Sequence, residues 1–135
     1  MHNEDDTDPG AVTILLAEDD PFLRDLLGST LRRHGYLVLE AESGDRAVSL
    51  LHQNRIDVLV TDIVMPGGID GWALGEQARR VHPGVAVVYS SSRPAEAERQ
   101  VSRSLYIRKP YHPDAVVGAI RQLTSRRKGS GPAER

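Results

Sequence analysis

Glu18-Asp19-Asp20, Asp62, Ser90-Ser91-Ser92 and Lys109 are the residues of this chain whose types and company suggest chemistry. A carboxylate at the end of an apolar run, as Asp62 is after Ile56-Asp57-Val58-Leu59-Val60-Thr61, can be a metal ligand, a nucleophile or a loop cap. Its company decides among these. Three carboxylates brought together repel one another and become tolerable around a cation. An all-oxygen donor set without His or Cys favours Mg2+ over zinc or copper. Lysine adds a mobile positive charge suited to a phosphate, and a serine hydroxyl can donate to a phosphoryl oxygen. These parts match phosphoryl transfer, where a protein mainly positions groups and neutralises charge. Asp62 is then the nucleophile, forming an acyl phosphate. Glu18 and Asp19 hold the metal, Lys109 pairs with the incoming oxygens and Ser91 senses the new group.

Such a site requires elements that deliver all four groups to one place. Residues 11–17 read as a buried strand, and Asp20-Pro21 makes an N-cap and first-turn pair for a helix. Leu23, Leu26, Leu27 and Leu31 share a face of that helix, and His34-Gly35 closes it. Residues 36–41 form a second strand, placed toward a sheet edge because Glu40 interrupts its apolar run. Ser43-Gly44 starts a short helix with Ala47, Leu50 and Leu51 inward. Residues 56–62 are continuously apolar enough for a central parallel strand covered on both faces, and Pro66-Gly67-Gly68 forces a loop. A third helix over 70–82 carries Leu74, Ala78 and Val81 at helical spacing and ends at Pro83-Gly84. Trp72 falls at its start, near the site. Strands over 85–90 and 104–108 flank a segment, 93–101, that can form only a brief helix. The last helix, over about 113–126, turns Val116, Ala119, Ile120 and Leu123 inward.

Five strands alternating with five helical segments predict an α/β doubly wound fold, a three-layer sandwich about a five-stranded parallel sheet. Parallel strands send all their carboxyl ends to one rim, where open sheets of this kind place their chemistry.

A chain of 135 residues that is 39% apolar suits one compact domain. There is no cysteine, so disulfides and thiolate metal sites are excluded. No run approaches the ~20 apolar residues of a membrane span, and no signal-peptide pattern opens the chain; the expectation is a soluble, cytoplasmic protein with no membrane insertion. A net charge of −2 argues against direct nucleic-acid binding of the usual basic kind. The acidic residues 1–10 and the polar residues 128–135 are expected to be disordered extensions of a domain over 11–127. The five histidines show no metal-ligand spacing.

The motifs I-L-L-A-E-D-D, V-T-D-I-V-M-P, the strand ending in Y-S-S-S, and Y-I-R-K-P-Y appear in this order over nearly the whole chain. Their order and spacing resemble those of a response-regulator receiver domain of two-component signalling. The resemblance implies a flavodoxin-like strand order 2-1-3-4-5. It implies that Asp62 is the phosphoacceptor, that Glu18 and Asp19 are the acidic pair with Asp19 a direct ligand of Mg2+ (Mn2+ a possible substitute), and that the Val64 backbone carbonyl completes the protein ligands. It also implies a catalytic Lys109 followed by a cis bond to Pro110, and a switch pair of Ser91 and Tyr106, with Ser90 the neighbouring alternative to Ser91. The implied partners are a sensor histidine kinase or histidine phosphotransfer protein and a downstream protein target. The expected function is a stand-alone phosphoacceptor in a phosphorelay, not a conventional enzyme. Its rivals are a scaffold acting without phosphorylation, a receiver piece of a hybrid kinase or transcription regulator, and an aspartyl-phosphate hydrolase. The hydrolase would want an acid two residues after Asp62, where Val64 stands.

Two departures from the pattern stand out. The loop after Met65-Pro66 has one extra residue, and the segment before Tyr106 is short. Arg93, two residues after Ser91, is placed to lean over a phosphoryl group.

Overall fold

The computed structural model describes residues 10–94 and 99–129, with side chains described as far as residue 125. The elements are β1 (Thr13–Ala17), α1 (Pro21–Arg33), β2 (Leu37–Ala41), α2 (Gly44–Gln53), β3 (Val58–Asp62), α3 (Gly71–Val81), β4 (Ala86–Ser91), β5 (Ser104–Arg108) and α4 (Pro113–Gly129). All sheet pairings are parallel and the order is β2-β1-β3-β4-β5. Four helices appear among the described residues, against five helical segments expected. The brief helix expected over 93–101 falls partly on residues 95–98, outside the described residues. The terminal calls over 1–9 and 130–135 lie outside them too.

Side-chain alternation along the strands makes two cores, one on each face of the sheet. Leu15, Ala17, Leu59, Val87 and Tyr89 face α2 and α3, meeting Leu50, Leu51, Trp72, Leu74 and Ala78. Ile14, Leu16, Val58, Val60, Ala86 and Val88 face α1 and α4, meeting Leu27, Leu31, Val116, Ile120 and Leu123. β3 lies at the centre and every one of its residues is buried, which explains its unbroken apolar run. Each such Val or Leu contributes about 1.5–3 kcal/mol by leaving water. β2 is an edge strand, and its less apolar sequence follows from that. One helical-face reading needs correction: Leu26 is 41% exposed, because α1 buries the stripe through Leu27 and Leu31 and leaves the flank through Phe22 and Leu26 to solvent.

Short polar caps turn the chain back at the rim. The Asp20 side chain accepts from the Phe22 and Leu23 amides at 3.0 and 3.4 Å, Ser43 from Arg46 at 3.1 Å, and Asp70 from Ala73 at 2.9 Å. These bonds satisfy amides that helix starts leave without partners. Gly35 closes α1 with φ +90°, the left-handed conformation expected of a C′ glycine. Gly71 answers a different demand, since a Cβ there would come within 2.3 Å of the Asp62 carbonyl oxygen. Its amide donates to Ile63 O at 2.7 Å, seating the start of α3 directly against the end of β3.

Candidate functional site

Asp62 ends β3 with 8% of its surface exposed. Glu18 follows directly on β1 and is 2% exposed, while Asp19 is exposed. Carboxylate oxygens of Glu18, Asp19 and Asp62 lie within 4.8 Å of one another. The third acid of the run, Asp20, is spent on capping α1, so the structure sorts three adjacent acids by task. Lys109 comes in from the end of β5. Its Nζ donates to Asp62 Oδ2 at 3.1 Å and lies 3.5 Å from Glu18 Oε1. Glu18 Oε2 accepts the Asp20 amide at 3.1 Å.

The electrostatics follow from two buried carboxylates, Glu18 and Asp62, with the exposed Asp19 beside them. Burial pushes the Glu18 carboxyl up to about 7; the Asp62 and Asp19 charges add to this, and the Asp20 amide and Lys109 oppose it. Burial also raises Asp62 above the usual carboxylate range, while Lys109 pulls it back. Burial draws Lys109 downward, but Asp62 and Glu18 together outweigh it, so the ammonium is held more firmly than usual. In the protein alone, the site carries more negative charge than one lysine can balance. Its donors are all oxygens and sit close together, which fits a small hard cation.

The other face of the rim holds the second group of residues. Register pairs Ser90 with Asp62 and Ser91 with Arg108. Ser91 follows the alternation of Val87 and Tyr89, so it lies on the face that holds Trp72 and Tyr106; Ser90 falls on the face of Ala86 and Val88. The Ser91 hydroxyl accepts the Arg93 amide at 3.1 Å, and the Tyr106 hydroxyl donates to the Arg93 carbonyl. Trp72, 4% exposed, stacks on Tyr106 with centroids 6.3 Å apart and 20° between planes. Together with Ile63, Val64 and Met65, Ser91, Trp72 and Tyr106 line a cavity of about 290 Å3. Val64 is 54% exposed at the lip. The Lys109–Pro110 peptide bond is cis. The expected residues therefore divide in two: Glu18, Asp19, Asp62 and Lys109 clustered together, and Ser91 and Tyr106 beside them, joined through the backbone of Arg93.

Sequence reasoning missed two neighbours. Burial pushes the Tyr111 phenol up, Ser90 beside it works against this, and the charges of Glu18, Lys109 and Asp62 all reach it. Arg24 on α1 donates to the Glu18 carbonyl. Arg24 carries no sequence signal, because it reaches the rim from α1, whereas Tyr111 closes the Y-I-R-K-P-Y motif two residues after Lys109.

The response regulator receiver domain family matches residues 14–121, and this chain belongs to it. The transcriptional regulatory protein GlrR of Escherichia coli is 34% identical over 111 residues, covering 79% of this chain and 25% of that protein. The probable transcriptional regulatory protein TcrX of Mycobacterium tuberculosis is 28% identical over 119 residues, covering 85% of this chain and 50% of that one. The chain thus spans between a quarter and half the length of these relatives. A response regulator receiver protein from Sinorhizobium medicae superposes with TM-score 0.83 at 36% identity, over 88% of this chain and 98% of that chain. The response regulator TrrA of Thermotoga maritima, solved with Mg2+ and BeF, gives TM-score 0.71 at 24% identity over 83% and 98% of the two chains. Receiver domains are signalling phosphoacceptors of two-component systems. No helix among the described residues is long and apolar enough to cross a membrane.

Proposed function

We propose that Asp62 is the phosphoacceptor, that Glu18, Asp19, Asp62 and the Val64 carbonyl hold Mg2+, and that Lys109 and Ser91 receive the phosphoryl oxygens. The observation that carries this reading is the cluster of three carboxylate oxygens within 4.8 Å, with the Lys109 ammonium 3.1 Å from Asp62. The same metal appears in the TrrA complex, and Mn2+ is a possible substitute with the same preference for oxygen. A bound divalent ion supplies charge neutralisation for the phosphoryl oxygens.

The protein's own groups do the rest. An Asp62 oxygen attacks phosphorus of a partner's phosphohistidine. The P–N bond breaks as the new P–O bond forms, and the imidazole leaves with the electron pair. Lys109, already on Asp62, moves to the incoming oxygens. Ser91 turns from the Arg93 amide to the phosphoryl group, which frees one of the two ties on the Arg93 backbone and shifts the population of Tyr106 arrangements. Ser91 is preferred to Ser90 because it shares the Tyr106 face. Water later cleaves the acyl phosphate to free Asp62 and inorganic phosphate. The donor is a sensor histidine kinase or histidine phosphotransfer protein, the output is a protein contact, and the setting is the cytoplasm.

The test is phosphorylation by acetyl phosphate or a cognate kinase in Mg2+. One phosphoryl group, labile to hydroxylamine and lost in Asp62→Asn, is expected; full labelling of Asp62→Asn overturns the assignment. A second reading, a receiver module of a longer regulator, is favoured by the partial coverage of GlrR and TcrX. Detection of the native product by immunoblot at a larger mass than this chain would select it.

A further inference from the structure

Arg24 reaches from the first turns of α1 back to β1. Its Nη1 donates to the Glu18 carbonyl at 2.9 Å, while the Glu18 amide donates to Ala41 O at 3.0 Å. The Glu18 backbone is thus held on both sides, and the Glu18–Asp19 peptide that aims both acids is pinned. Arg24 is itself held: its Nε lies 3.6 Å from Glu40 Oε1. The other oxygen of Glu40 accepts from Arg32 Nη1 at 2.9 Å, and Arg32 Nη2 donates to Val38 O at 3.0 Å. One carboxylate on β2 thereby joins two arginines about two helical turns apart on α1. It lies across the helix at Gly28, where a Cβ would come within 2.5 Å of Glu40 Oε2. Glu40 is the acid that interrupts an otherwise apolar strand, and Gly28 is a poor helix former in mid-helix. Each has a reason in the presence of the other.

We infer that Arg24 is a positioning residue for the acidic pair, held by Glu40 in a slot that Gly28 keeps open. The inference rests on the Mg2+ reading of Glu18 and Asp19. Partners that orient metal ligands are worth roughly 10–100-fold in metal affinity. A pinned Glu18–Asp19 peptide acts in this way because it fixes where both carboxylates start.

The test uses the full chain. Mg2+ is titrated against wild type, Arg24→Gln, Glu40→Gln, the double variant, Gly28→Ala and Asp19→Asn, by calorimetry or Trp72 fluorescence. Amide 15N spectra are recorded without metal. Arg24→Gln should weaken Mg2+ by about 10–100-fold, and Glu40→Gln by less. The double variant should be no worse than Arg24→Gln, since the two act in series. Gly28→Ala should follow Glu40→Gln even though alanine is the better helix former. In metal-free protein the Asp19 amide, which shares its peptide with the Glu18 carbonyl, should shift in Arg24→Gln and Glu40→Gln. An unchanged Mg2+ Kd in Arg24→Gln together with an unmoved Asp19 resonance overturns the inference, as do additive losses in the double variant. If Arg24→Gln fails to fold, a wild-type Kd in both Glu40→Gln and Gly28→Ala overturns it. Wild-type affinity in Asp19→Asn, or no Mg2+ binding by wild type, overturns the metal reading, and the Asp19 resonance still decides the role of Arg24.

Discussion

The central strand has an aspartate at each end, and the two are buried alike: Asp57 and Asp62 are each 8% exposed. Asp57, at the amino end, accepts the Thr13 amide at 2.9 Å and faces Arg55 at 3.7 Å. It ties the start of β1 to the start of β3. Asp62, at the carboxyl end, has two other carboxylates within reach and one shared ammonium. Burial pushes its pKa up, Lys109 pulls it back, and the Asp19 charge adds to the rise. A buried carboxylate given a backbone donor becomes a structural bolt. One crowded by like charge is left with electrostatic demand that a cation, a proton or a phosphoryl group can answer.

The comparison is broken most directly by exchanging the losses. Asp62→Asn should abolish hydroxylamine-labile phosphorylation while leaving the urea midpoint unchanged or higher, because a disfavoured buried charge is removed. Asp57→Ala should keep the labelling. A labelled Asp62→Asn protein, or an unlabelled but folded Asp57→Ala protein, would erase the distinction. Removing Mg2+ with a chelator should likewise stop labelling of wild type, read as initial rate against free metal.

A pH series sharpens the contrast. Glu18 titrates near 7 in the folded protein against an ordinary value of 4.5. Between those values the metal-free native state keeps a proton that the unfolded chain has lost. The contribution of Glu18 to stability is therefore greatest below about 4.5, is lost as pH rises through about 7, and levels off above it. Asp62, also raised, acts in the same direction. Saturating Mg2+ should offset the fall, and Mg2+ affinity should itself weaken as pH drops below about 7, since protons compete for Glu18. Thermal midpoints across pH with and without Mg2+ measure both. A pH dependence of stability that is the same in metal-free wild type and in Glu18→Gln would contradict the crowding of these acids.

Smaller effects belong to the ordinary bonds. Asp57→Ala should cost about 2 kcal/mol in urea unfolding, as expected when a half-buried amide loses a charged acceptor. Tyr106→Phe should cost about 1 kcal/mol or less, for the bond to the Arg93 carbonyl, and leave the Mg2+ Kd unchanged.

Much of this was legible before any coordinates. The apolar run before Asp62 marks a central strand, because only a strand covered on both faces lacks polar alternation. Strand ends carrying Glu18-Asp19, Asp62 and Lys109 meet because parallel strands share a rim. The choice between Ser90 and Ser91 was not legible: three serines in a row carry no alternation of their own. It took the pairing of β4 with β3 and β5 to put Ser91 on the Tyr106 face. Tyr89 was also opaque. Nothing in the sequence marks its position, and it is fully buried with its Oη against α3, where a Cβ on Gly75 would come within 2.3 Å.

By itself the sequence determined the elements, their order and the one rim to which the acids and the lysine are delivered. These follow from local periodicity and chain direction, which every segment carries in its own residues. Only the tertiary structure decided how closely Glu18, Asp19 and Asp62 approach one another, which serine faces the aromatic pair, and that Arg24, Glu40 and Gly28 belong together. Those are contacts between elements far apart along the chain, and no local pattern encodes the distance or angle at which two such elements pack.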